Sequence, residues 1–308
     1  MKTAALFPGQ GAQAVGMGKD LFEKSAAARR PFEEANAILG IDLAKICFEG
    51  PEETLNRTDT CQPAILVHSI AAIRAMEEKG APLRADVAAG LSLGEYTAHV
   101  FAGSIGFADA VRLVRKRGEA MQAACEAKAG TMATVLGLDL AKLREAVAEG
   151  AAKGILVVAN ILGPGQAAIS GEVAAVEAAG EAARRMGAKR VVMLKVAGAF
   201  HSPLMASAVE ALKAALARTE IKTSVIPVVS NVTAAPVTDP AQIRELLGRQ
   251  VGEPVLWEDS NRRMGADGAK RFVEVGPGKV LTGLARKIVE GSETVNVEAW
   301  SGVEAWTG

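Results

Sequence analysis

Val87-Ala88-Ala89-Gly90-Leu91-Ser92-Leu93-Gly94-Glu95 is the stretch on which the fold turns. Its opening apolar run has the length of a buried strand. It passes directly into Gly-Leu-Ser-Leu-Gly, and Glu95–Ala102 can continue as a helix before Gly103 stops it. Strand, tight turn and helix with a serine at the apex is the arrangement of a nucleophile elbow. So sharp a turn strains the serine backbone, and glycines on either side let neighbouring chain approach closely. The turn lifts Oγ clear of the sheet and sets the first NH groups of the helix beneath a developing oxyanion. An ordinary glycine-rich strand-to-helix turn is the competing reading, and the flanking strand and helix favour the elbow.

The rest of the chain bounds what such a serine can serve. With 308 residues the chain can bury one large core or two modest ones. Apolar residues make up 49% and charged residues 23%, as in ordinary globular proteins. Lys+Arg and Asp+Glu are both 35, so no global field calls for nucleic acid or an anionic membrane. Cys47, Cys61 and Cys125 are odd in number and lack metal-ligand spacing, so we expect no metal and a reducing, cytoplasmic setting. Met1–Phe7 begins like a signal peptide, but Pro8-Gly9-Gln10-Gly11 cuts its apolar core short, and no apolar run is long enough to span a bilayer.

Taken in order, Thr3–Phe7 reads as a first strand and Pro8–Gln13 as a loop presenting an amide between two glycines. Helices are expected over 18–40, from Pro51, and from Gln62-Pro63 along Ala64–Lys79, where His68 sits in an apolar surround as a structural residue. Phe107–Ala127 is a helix whose Arg112, Arg115, Lys116 and Arg117 read first as a solvated basic face. Thr131–Gly137, Asp139–Gly150, Ile155–Ile161, Gln166–Ser170, Glu172–Met186 and Arg190–Lys195 then give the order βαββαβ, a ferredoxin-like subdomain inserted at 128–196. The larger pattern, 1–127 and 197–308, alternates strands and helices, which implies a mainly parallel α/β sheet covered on both faces. Val225–Ser230 and Arg271–Val275 are its late strands, and Val280–Ile288 is read as the final helix. The tail repeats Val-Glu-Ala-Trp at 297–300 and 303–306, with no functional meaning we can assign.

A serine hydroxyl needs a neighbouring base, and only three histidines are available. His99 lies on the helix after Ser92, roughly 10 Å along its axis, which is out of reach. His68 faces a helix interior. His201 follows a strand in the loop Ala197-Gly-Ala-Phe-His-Ser-Pro203, at the end of an α/β sheet where ligands bind. His201 is therefore the base, and no acid stands out as a third member. About a hundred residues follow it, whereas a standard α/β-hydrolase has its histidine near the end of the fold.

Phe7-Pro-Gly-Gln-Gly11, Gln62-Pro63-Ala64, Gly90-Leu-Ser-Leu-Gly-Glu-Tyr96, Arg117-Gly118, Pro164-Gly-Gln166, Phe200-His201-Ser202, Ser230-Asn231 and Glu274-Val-Gly-Pro-Gly278 occur in that order. In this the sequence resembles the malonyl-CoA:acyl carrier protein transacylases, an acyltransferase family of fatty acid and polyketide synthesis, over nearly its whole length. The resemblance implies a hydrolase-like core interrupted by a ferredoxin-like subdomain. It also implies a malonyl-Ser92 intermediate in ping-pong transfer from malonyl-CoA to the phosphopantetheine thiol of a holo acyl carrier protein, with no cofactor. His201 would be oriented by the main-chain carbonyl of Gln250, and the NH groups of Gln10 and Leu93 would hold the oxyanion. Arg117 would pair with the free malonyl carboxylate, and Phe200 would narrow the space beside the α-carbon. Leu91 departs from a common histidine, Leu162 from a common asparagine and Cys61 from the usual threonine.

Three functions remain open at this point: acyl transfer, thioester hydrolysis by the same serine, and a catalytically dead carrier-binding protein. A thioesterase for neutral acyl chains has no need of Arg117, and the intact Ser92, His201, Arg117 and Gln250 speak against a dead protein. Polyketide synthesis would use the same site with another partner. The carrier is usually acidic, so Arg184, Arg185, Lys189 and Arg190 are its expected docking surface, with a solvated helix face as the alternative.

Overall fold

The computed structural model describes all residues 1–308. Its strands are β1 (Lys2–Phe7), β2 (Val87–Gly90), β3 (Thr131–Leu136), β4 (Leu156–Gly163), β5 (Gln166–Gly171), β6 (Arg190–Met193), β7 (Val228–Val229), β8 (Pro236–Val237), β9 (Val255–Leu256), β10 (Ala269–Val275) and β11 (Glu293–Val297). They form a six-stranded sheet, β11-β10-β1-β2-β7-β8, and a five-stranded sheet, β6-β3-β5-β4-β9.

In the large sheet every neighbouring pair is parallel except β7–β8. Successive side chains of a strand point to opposite faces, and both faces here are covered. Ala5, Phe7 and Ala88 enter the core beneath the helices Thr58–Glu78 and Phe107–Ala127. Ala4, Leu6 and Ala89 enter the other, with Trp257, Leu281 and Leu284. Double burial explains why these strands read as continuous apolar runs. Because β1, β2 and β7 are parallel neighbours, the loops beginning at Pro8, Leu91 and Ser230 leave the same edge of the sheet.

The small sheet pairs β3 with β5, β3 with β6 and β4 with β5, all antiparallel. Its helices Leu140–Gly150 and Val173–Arg185 pack small residues, Ala146, Ala179 and Ala183, against Ala133, Val135 and Ile169. Met132 and Ala168 project the other way and join the main core. β9 lies outside 128–196 and adds in parallel to β4, so a strand from beyond that segment completes the five-stranded sheet.

Several expected elements shift. The 18–40 helix is two, Lys19–Lys24 and Ala26–Leu39, because Ser25 turns extended and caps the second through Ala28 NH. The helix expected from Ala64 begins at Thr58 and carries Pro63 inside it. Pro63 has no NH for the carbonyl of Asp59, and Arg115 donates to that carbonyl instead at 3.0 Å. A helix at Leu43–Glu49, capped by Asp42, was not anticipated. The strand expected over Val225–Ser230 shortens to β7. Val280–Ile288 is not the last helix, since β11 and a helix at Trp300–Ala305 follow. β11 is an edge strand buried on one side only, so its signal is weak. The two Val-Glu-Ala-Trp copies have unlike surroundings: the first ends β11, and Trp306 of the second is buried with its indole NH donating to Ala81 O at 2.8 Å. No helix is long and apolar enough to cross a membrane.

Candidate active site

Ser92 stands between β2 and the helix Gly94–Phe101 with φ 51, the left-handed backbone the elbow reading requires. Close approach is built in on both sides. A Cβ at Gly90 would overlap the backbone of Gly94, and one at Gly94 would overlap the carbonyl of Phe7. The apex is then clamped. Asn231, just past β7, accepts from Ser92 NH at 2.6 Å and donates to Gly90 O at 2.7 Å. The Gln250 side-chain amide donates to Ser92 O at 2.9 Å. A left-handed non-glycine residue costs on the order of 1–3 kcal/mol, and these bonds hold it there.

His201 approaches from the loop before the helix Ala206–Leu216, itself at φ 56 and tied by its NH to Val251 O at 3.0 Å. Its Nε2 lies 2.8 Å from Ser92 Oγ. Its Nδ1 lies 2.8 Å from Gln250 O and 3.2 Å from Glu253 O. A carbonyl only accepts, so Nδ1 carries the ring proton and Nε2 is left to accept from the serine hydroxyl. Burial, and then the Arg117 charge, lower the imidazole pKa to about 4, which keeps it neutral and able to take a proton. The other histidines sit elsewhere. His68 Nε2 meets Glu298 O at 2.8 Å, and His99 Nδ1 meets Ser104 Oγ at 2.9 Å with burial lowering its pKa to about 3.

Arg117 is the unusual member. It is 1% exposed, stacked over the Tyr96 ring at 5.4 Å, and meets the nearby Glu95 carboxyl through Gln250 and not in a direct ion pair. Its guanidinium donates to Gln62 Oε1 at 2.7 Å, Gln250 Oε1 at 3.0 Å and Ser92 Oγ at 2.9 Å, and Nε has no partner. Far from a solvated basic face, this is a buried cation held by neutral oxygens. Gln250 also donates to Glu95 Oε2 at 2.6 Å, and that carboxylate accepts Asn231 NH at 3.1 Å. Burial pushes the Glu95 carboxyl up to about 7, against the bonds that favour its charge.

Above Ser92 is a cavity of ≈ 120 Å³. The large-sheet loops contribute Gly9, Gln10, Leu91 and Ser92, and His201 and Phe200 close one side. The small sheet contributes Met132 and Asn160, with Leu194 and Val196 just beyond β6. Arg117 and Gln250 lie behind this wall. The NH groups of Gln10 and Leu93 have no acceptor within the protein. All the site residues read from the sequence therefore gather here. Four were missed as contributors: Gln62, Glu95, Asn160 and Asn231, together with the side chain of Gln250. Gln62 and Asn231 stood inside noted motifs, and Glu95 was a lone charge in an apolar helix. Asn160, whose Oδ1 is buried without a partner, gave no local signal. Leu162 is absent from the cavity wall and packs with the second core, and Cys61 is buried with its thiol pKa pushed up to about 12.

The expected docking residues are exposed, though not all free. Arg185 is paired with Glu149 at 2.5 Å, and Arg184 reaches Val191 O at 3.4 Å.

Comparison with known proteins places this geometry among relatives. The family model described as acyl transferase domain matches residues 5–303. A malonyl CoA-acyl carrier protein transacylase of Bacillus subtilis is 46% identical over 96% of this chain and 93% of its own. The crystal structure of an acyl carrier protein S-malonyltransferase from Vibrio cholerae superposes with TM-score 0.95 at 41% identity, over 99% of each chain. A malonyl-transacylase solved in complex with its type II PKS acyl-carrier protein gives TM-score 0.95 at 38% identity, over 99% of this chain and 98% of that one.

Proposed function

The chain belongs to the acyl transferase family, and from that premise we propose that it moves the malonyl group of malonyl-CoA to the phosphopantetheine thiol of an acyl carrier protein through malonyl-Ser92. The observation that carries this reading is a buried guanidinium that makes no direct ion pair, 2.9 Å from a serine whose hydroxyl meets a neutral imidazole at 2.8 Å. A buried cation whose direct acceptors are all neutral is costly, and a substrate carboxylate matches the planar fork of arginine.

In the first half, Ser92 Oγ attacks the thioester carbonyl carbon while its proton passes to His201 Nε2. The oxygen becomes an oxyanion that accepts from Gln10 NH and Leu93 NH, both free for that purpose. The C–S bond then breaks, and the coenzyme A thiolate leaves with the proton from His201. In the second half the carrier's thiol gives its proton to His201, its sulfur attacks the ester carbonyl, and Ser92 Oγ departs with that proton. The Gln250 and Glu253 carbonyls steady the imidazolium that forms twice, in place of an acid. Phe200 and Leu91 restrict the space beside the acyl chain. The reaction needs no cofactor, since coenzyme A enters as part of the substrate.

The same reading treats 1–127 with 197–308 as a hydrolase-like core and 128–196 as a ferredoxin-like subdomain, supported by the sheet order β6-β3-β5-β4. It assigns Arg184, Arg185, Lys189 and Arg190 to carrier docking, beside the strand that runs toward Leu194. Three free, buried cysteines fit a cytoplasmic enzyme.

Intact-protein mass spectrometry tests the function. Malonyl-CoA alone should add one malonyl group at Ser92, and holo carrier protein should then remove it and gain the same mass. An adduct that decays in water with the carrier unmodified makes the protein a hydrolase, and no adduct overturns the reading.

A further inference from the structure

Resting on the transfer reading above, we propose that Arg117 caps Ser92 in the free enzyme and that the substrate's own carboxylate releases it, so the acid group switches on the nucleophile as well as being recognised. Two groups converge on one oxygen: Ser92 Oγ lies 2.8 Å from His201 Nε2 and 2.9 Å from an Arg117 amino group. A hydroxyl has one proton and two lone pairs. The proton goes to Nε2, and the cation engages a lone pair of the atom that must attack. A positively charged donor there draws density from the nucleophile.

The cap is built to be exchanged. Arg117 is 1% exposed and donates only to neutral oxygens, of Gln62, Gln250 and Ser92. Of these three acceptors, Ser92 alone lines the cavity, so an entering anion meets the guanidinium at the serine. A carboxylate forms the stronger, charge-assisted bond and displaces the hydroxyl. The exchange has a second effect. The Arg117 charge helps hold the His201 imidazole low, and pairing that charge with a carboxylate makes the base stronger as the serine is freed. A neutral acyl group offers no such acceptor and finds the serine still capped. Selection against neutral thioesters therefore falls on the rate of acylation in the bound complex. An arginine that only gripped the carboxylate would place it in binding.

Acetyl-CoA and formate together supply the two parts of a malonyl thioester as separate molecules. Single-turnover acetylation of Ser92 in the wild-type protein, read by intact mass, should rise about tenfold in formate over chloride of equal ionic strength. Arg117→Met should not respond to formate, and its serine should react faster than wild type with a neutral fluorophosphonate. If formate leaves wild-type acetylation unchanged or slows it while malonyl-CoA still acylates Ser92, the cap is wrong and the transfer reading stands. Slower fluorophosphonate labelling of a folded Arg117→Met protein would likewise overturn it, since the arginine would then be activating the serine. Failure of malonyl-CoA itself to acylate Ser92 would instead sink the transfer reading, and this proposal with it.

Discussion

The two sheets meet at one cavity and furnish it in opposite ways. The large sheet, its loops and the helices packed on it carry Ser92, His201, Arg117, Gln250, Asn231 and Glu95, linked so that most oxygens and nitrogens have a partner within 3.2 Å. The small sheet offers Met132 and Asn160, followed by Leu194 and Val196, which touch the cavity without joining that network. One side is fixed by directional bonds that fail if an atom moves. The other is a wall that is apolar except for Asn160 and tolerates changes of shape. Substitutions on the first side should therefore act on rate and stability, and those on the second on how well the acyl group fits.

The two sides differ most at the reacting atoms. Ser92→Ala should yield no covalent adduct with malonyl-CoA, and His201→Ala should slow acylation by about 10²–10⁴-fold in rapid-quench mass measurements. Arg117→Ala should lower kcat/KM for malonyl-CoA by roughly 10²-fold or more while raising that for acetyl-CoA, narrowing the preference between them. Asn231→Ala leaves Ser92 NH and Gly90 O buried without partners, at about 1–3 kcal/mol each, so the melting temperature should fall together with kcat.

Glu95 gives a smaller, pH-shaped effect. Its folded pKa is raised from 4.5 to about 7, so the native chain holds a proton that the unfolded chain releases first. Its contribution is complete below pH 4.5 and is lost as pH rises through about 7, amounting to about 3 kcal/mol. Glu95→Gln should flatten the decline in unfolding free energy between pH 5 and pH 8 in denaturant titrations. His201 runs the other way: its native pKa of about 4 leaves its contribution complete above 6.5 and lost as pH falls. Smallest of all, Met132→Leu should change kcat/KM by a few-fold at most with the melting temperature nearly unmoved. A loss as large as that of Asn231→Ala would erase the distinction between the two sides.

How much of this was legible follows the same line. Ser92 announces itself because its strand, its turn and its helix are contiguous. His201 follows because there are three histidines and two are excluded by distance or surroundings. Short apolar runs expose the two sheets for the same local reason. The polar frame is different. Asn231 and Ser92 are 139 residues apart, and Gln250 and Glu95 are 155 apart, so nothing near either residue signals the partner. The solvated reading of Arg117 failed on that account, because a basic helix face seen in isolation says nothing of Gln62 and Gln250 lying opposite. β9, with two residues, is too short for any period to reveal it.

That short strand also has a mechanical meaning. Residues 250–256 hand two carbonyls to His201 and then hydrogen-bond to β4, so one short segment is shared by the His201 imidazole and the far edge of the small sheet. Swinging the small sheet aside as a lid would strip the β9–β4 ladder and tug on the imidazole in the same stroke. Rotating Leu194, Val196 and Met132, which line the cavity, would admit a long, thin prosthetic arm and leave that ladder intact. The enzyme is thus closer to a keyhole in a fixed plate than to a jaw, and under the proposed transfer His201 would stay aligned while the acyl donor and the acyl acceptor take turns in it.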